Sequence, residues 1–75
     1  MNIHQTINKA AKILIKNKIK TPYLDSELLL SKVIRKDRDY IILNLKETVN
    51  KKYLHKFYHL IQRSKKGEPV AYLTN

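Results

Sequence analysis

Apolar residues recur at helical spacing from the first residues of the chain. Ile3, Ile7, Ala10, Ala11 and Leu14 fall on one stripe at about 100° per residue, with Ile15 flanking it. Lys9, Lys12 and Lys16 fall opposite, so residues from about Asn2 to Asn17 are predicted to form an amphipathic helix with a lysine stripe. Asn17 is a candidate for the left-handed position that ends it. The next stretch, TPYLDSELLLSKVI, offers Thr21 as N-cap and Pro22 at the first helical position, where a missing N–H does no harm. Asp25 and Glu27 lie near the positive end of that helix dipole. Leu24, Leu28, Leu29, Leu30, Val33 and Ile34 run nearly all the way round, which predicts a central, buried hub helix.

The third segment, KDRDYIILNL, reads as a short helix capped by Asp37 or Asp39 and carrying Tyr40, Ile41 and Leu43, although the β-branched run around Ile41 also suits a strand. The fourth runs from about Asn50 to Ser64, capped by Thr48 or Asn50. Tyr53, Leu54, Phe57, Tyr58, Leu60 and Ile61 form a broad apolar arc, with His55, His59 and Gln62 on the other side. Lys65 and Lys66 suit the last carbonyls, Gly67 is a natural residue to end the helix, and Pro69 prevents its continuation. The expected fold is therefore all-α, a small bundle of about four to five short helices with an extended C-terminal linker segment, joined by short loops.

Length changes this picture little: 75 residues make one domain with a small core. Cysteine is absent, which excludes disulfides and thiolate metal sites and suits a reducing cytoplasm. No apolar run reaches the roughly 18 residues that span a bilayer. The net charge of +10, with no acid before Asp25, invites a nucleic-acid or anionic-membrane reading. That reading is discounted because lysine outnumbers arginine 13 to 3, whereas base recognition leans on arginine's bidentate fork. A membrane-surface first helix is opposed by its small alanines, which suit close helix packing.

Candidate chemistry is sparse. His55 and His59 have the spacing of a zinc-binding pair, but a third ligand is lacking and the intervening residues carry no glutamate. Ser26, Ser31 and Ser64 have no evident base beside them. Asp25 and Glu27, two apart on a helix, point to different faces. One glycine cannot build a phosphate cradle. Tyr53 and Tyr58 read as core or rim. The chain alone is thus expected to hold no catalytic, cofactor or metal residue.

TPYLDSELLLSKVI, then DRDYIIL, then LIQRSKKGEPVAYLTN, in this order, resembles the N-terminal domain of the release factor glutamine methyltransferase (HemK/PrmC) family. The motif residues carried here are Pro22, Asp25, Glu27, Leu28, Leu29 and Leu30, and later Arg63, Gly67, Glu68, Pro69, Val70, Ala71, Tyr72, Leu73 and Thr74. Ser26 replaces the usual alanine, and Asn75 the usual glycine. The resemblance implies a helical substrate-docking domain over residues 1–66. It also implies the start, at 67–75, of a linker to a methyltransferase domain that uses S-adenosylmethionine to methylate the glutamine of the Gly-Gly-Gln loop in peptide chain release factors. The implied partners are a release factor and that catalytic domain, in the cytoplasm. Lys9, Lys12, Lys16, Lys18 and Lys20 are the candidate partner-binding patch, and Val70 to Leu73 are expected to be poorly ordered or to borrow a neighbour's sheet edge. The alternative reading is a small basic helical nucleic-acid-binding module.

Overall fold

Four helices form where the periodicity places them. The computed structural model describes residues 1–68 as α1 (Ile3–Lys16), α2 (Pro22–Ile34), α3 (Arg38–Leu43) and α4 (Lys51–Lys65). The expectation for Val70 to Leu73 lies outside the described residues.

The start of α1 is fully capped. Asn2 Oδ1 accepts the Gln5 N–H at 2.8 Å, and Gln5 Oε1 accepts the Asn2 N–H at 2.9 Å, a reciprocal capping box. The amides of Ile3 and His4 donate to the Glu47 and Leu45 carbonyls, each at 2.9 Å. The chain between α3 and α4 therefore satisfies donors that a lone helix would leave to water. Val49 N–H returns the tie to the Met1 carbonyl at 2.9 Å, making a single antiparallel bridge between Asn2 and Thr48.

The end of α1 differs from the sequence expectation. Asn17 (φ −98°) is not left-handed, because its side-chain amide donates to the Ile13 carbonyl at 2.8 Å and keeps it against the helix. Lys18 takes φ +60° instead. Ile19 N–H reaches the Leu14 carbonyl at 3.1 Å and Lys18 N–H the Ile15 carbonyl at 3.0 Å, the paired bonds of a Schellman motif. Arg35 (φ +58°) repeats the device after α2, with Lys36 N–H on the Ser31 carbonyl. Gly67 (φ +98°) ends α4 as its chemistry suggests.

Thr21 precedes α2, but its hydroxyl does not cap the backbone; it donates to Asp25 Oδ1 at 2.8 Å. The residues around Ile41 are helical rather than extended, since Asp37 Oδ1 accepts the Tyr40 N–H at 2.8 Å and starts α3. Asn50 Oδ1 likewise caps α4 through Lys52 N–H.

Helix α2 packs against α1, α3 and α4, as a hub does, and α1 also packs on α4. The core where they meet holds Leu14, Leu29, Leu30, Ile41, Phe57 and Ile61, all fully buried. Ala10 and Ala11 are also sealed, so α1 meets its neighbours through small side chains. The face of α2 near its start is open: Leu24 is exposed, while Ser26 is buried with its hydroxyl on the Pro22 carbonyl. Arg38 of α3 pairs with Glu27 of α2 at 3.1 Å, the polar tie between these two helices.

Candidate functional site

The five lysines are all exposed. Lys9, Lys12 and Lys16 stand on α1 opposite its buried stripe, because that stripe is fixed by Ile3, Ile7, Ala10 and Leu14 facing the core. Lys18 and Lys20 lie in the turn that follows. Lys9 reaches across to α4, its Nζ 5.6 Å from the centre of the Tyr58 ring, a cation–π approach.

That ring marks a groove which sequence reasoning missed. Lys51, Leu54, His55, Tyr58, His59 and Gln62 line an open depression of about 500 Å³ on the outer face of α4. Leu54 and Tyr58 form its apolar part and are half-buried, because they lie at the edge of the stripe that sends Phe57 and Ile61 inward. The Tyr58 ring packs against Phe57 at 5.3 Å and 56°, and its hydroxyl meets Met1 Sδ at 3.5 Å. Burial pushes the Tyr58 phenol above its ordinary range. The sequence shows only that Leu54 and Tyr58 stand four apart on one face of the helix; their place at its rim depends on where α1 packs.

A second, smaller recess of about 220 Å³ lies where α2, α3 and the α3–α4 connection meet, with Ile3, Ile34, Tyr40, Glu47, Val49 and Tyr53 in its wall. The Tyr40 hydroxyl donates to Glu47 Oε2 at 2.5 Å, and Lys36 Nζ sits 5.1 Å from the Tyr40 ring centre. The hydrogen bond to Glu47 is the main cause that raises the Tyr40 pKa, with desolvation and the carboxylate charge adding to it.

At the end of α4, Arg63 Nη2 and Nε reach Glu68 Oε2 at 2.8 and 2.9 Å, an ion pair that bridges the Gly67 turn. Both partners are exposed enough to make its net contribution small, so its effect is to set the direction of the chain there.

The other candidates have structural roles. Ser26 and Ser31 donate to the Pro22 and Leu28 carbonyls, and Ser64 is buried. Asp25 accepts from Thr21 and Glu27 from Arg38, so the two carboxylates are separately engaged. His55 and His59 are exposed, and no group of three or more histidine, cysteine, aspartate or glutamate side chains among the described residues could hold a metal ion. The chain has one glycine, Gly67, which ends α4, so it carries no glycine-rich turn of the kind that lets backbone approach a nucleotide-like cofactor. No helix among the described residues is long and apolar enough to cross a membrane.

Comparison with known proteins gives a consistent answer. A family described as the PrmC N-terminal domain matches residues 5–74. A bifunctional methyltransferase from Rickettsia conorii is 36% identical over 73 residues, covering 97% of this chain and 14% of the relative. Release factor glutamine methyltransferases from Buchnera aphidicola subsp. Acyrthosiphon pisum and Clostridium acetobutylicum are 37% and 31% identical, covering 97% and 99% of this chain and 26% of each relative. The chain thus spans about a seventh to a quarter of the length of these relatives. No solved structure matches.

Proposed function

We propose, on the premise that this chain belongs to the PrmC N-terminal domain family, that it is the part of a release factor glutamine methyltransferase that docks the protein substrate. The match of residues 5–74 carries this reading, supported by the names of the relatives. In it, methyl transfer from S-adenosylmethionine to the glutamine of the Gly-Gly-Gln loop takes place on a separate catalytic domain, and the enzyme works in the cytoplasm. The helical bundle contributes no acid, base or cofactor contact. It binds the release factor away from the reacting amide.

Such a remote contact acts in two ways. Holding the factor at a second point raises the local concentration of its target loop at the active site. Binding energy gained there also helps to position the reacting amide. Both need a rigid scaffold with an exposed patch, for which Lys9, Lys12 and Lys16, with Lys18 and Lys20, are the candidate contacts. The nucleic-acid-binding alternative draws no support from either comparison.

A chimera tests the proposal. This chain replaces the matched N-terminal segment of the Buchnera release factor glutamine methyltransferase, and methylation of an intact release factor is compared with that of a short peptide carrying the loop. The proposal predicts that kcat/KM toward the intact factor is largely kept with this chain and falls about tenfold or more when the segment is deleted, while the peptide is nearly unaffected. Equal losses for factor and peptide on deletion would contradict it.

A further inference from the structure

We propose that the face made by α1 and α4 is the docking surface, and that it takes an acidic protein segment which seats one apolar side chain in the groove beside Tyr58. This inference rests on the docking reading above and names the chemistry of the contact.

Charge complementarity identifies the occupant. Neither α1 nor α4 contains an aspartate or glutamate. The six carboxylates of the chain are Asp25, Glu27, Asp37, Asp39, Glu47 and Glu68, and none lines the groove. Glu27, Glu47 and Glu68 are already engaged by Arg38, Tyr40 and Arg63, and Asp37 caps α3. Among the described residues neither Lys9 nor Lys51 is paired with a carboxylate. Lys9 stands at the groove through its approach to Tyr58, and Lys51 lines it. Between them lies an apolar strip of Leu54 and Tyr58, with His55, His59 and Gln62 as a polar rim. An apolar strip with a cationic rim fits an aliphatic or aromatic anchor flanked by carboxylates.

A protein segment fits better than RNA. Sequence-tolerant RNA binding uses aromatic rings free to stack on bases. Here the Tyr58 ring is packed on Phe57 and covered on one side by Lys9. Arginine, the residue suited to bidentate phosphate contact, is absent from the groove.

The test titrates a peptide chain release factor into the 75-residue chain by calorimetry and repeats it with Lys9→Glu, Lys51→Glu, Tyr58→Ala and, as control on α2, Lys32→Glu. Circular dichroism checks that each variant keeps its helix. The inference predicts that Lys9→Glu and Lys51→Glu each weaken binding about fivefold or more, that Tyr58→Ala weakens it about tenfold or more, and that Lys32→Glu changes it less than about twofold. If Tyr58→Ala fails to fold, the two charge reversals decide, since both lysines are exposed. Binding that is unchanged in Lys9→Glu and Lys51→Glu overturns this inference and leaves the docking proposal standing. No binding by the unaltered chain overturns both. A roughly 20-nucleotide RNA that binds more tightly than the factor, and loses affinity in the same variants, overturns the protein partner.

Discussion

Lys18 and Arg35 hold left-handed backbone conformations without being glycine. A side chain there costs about 1–2 kcal/mol, against which glycine carries about 0.5–1 kcal/mol of extra unfolded-state entropy. Arg35→Gly is therefore expected to stabilise the fold by up to about 1 kcal/mol, read as a rise in the urea midpoint with unchanged slope. A fall in the midpoint would show that the Arg35 side chain contributes more than its backbone costs. Tyr40 gives a second prediction. Its pKa is raised by its hydrogen bond to Glu47, so the neutral phenol is the form that the fold favours. The corresponding stability is fully present below the ordinary tyrosine value of about 10 and is lost as pH rises through the higher folded value. Ultraviolet titration should show late-ionising tyrosine that is reduced in Tyr40→Phe. Tyr58, held up by burial, should remain late in that variant. Superimposable titrations of Tyr40→Phe and the unaltered chain, after allowing for one phenol fewer, would contradict the assignment.

Helices were the most legible part of the chain because periodicity and caps agree. Pro22 starts α2, Asp37 starts α3, Asn50 starts α4 and Gly67 ends it, each by a local mechanism written in adjacent residues. The Asn2–Gln5 capping box was equally local and went unread, while the carbonyls of Leu45 and Glu47 on the amides of His4 and Ile3 could not be read at all, since they depend on contacts more than 40 residues apart. The groove on α4 was hidden for a related reason. Periodicity assigns Leu54 and Tyr58 to the apolar arc, but only the packed position of α1 decides that they sit at its rim, with Lys9 over the ring. Removing the cap tests the element scale. Asn2→Ala deletes the Oδ1 acceptor of Gln5 N–H and is expected to cost about 1 kcal/mol in denaturant unfolding, with faster hydrogen exchange at Gln5. An unchanged exchange rate at Gln5 would show that the α3–α4 connection alone holds the start of α1.

Taken as one object, the chain is a four-helix scaffold in which α1 and α4 carry no aspartate or glutamate and no carboxylate lines the groove. In the proposed docking, that asymmetry rather than the total charge of +10 is what an acidic partner recognises. A contact built partly on exposed lysines weakens with salt, because the Debye length shrinks from about 30 Å at 0.01 M to about 8 Å at 0.15 M. The proposed docking role and the groove on α4 make the same prediction, that the chain binds a release factor directly. Direct calorimetric titration of the 75-residue chain with a peptide chain release factor, at low and at physiological ionic strength, tests this most directly. The account predicts one-to-one binding that weakens as salt rises; absence of binding even at low salt would contradict it.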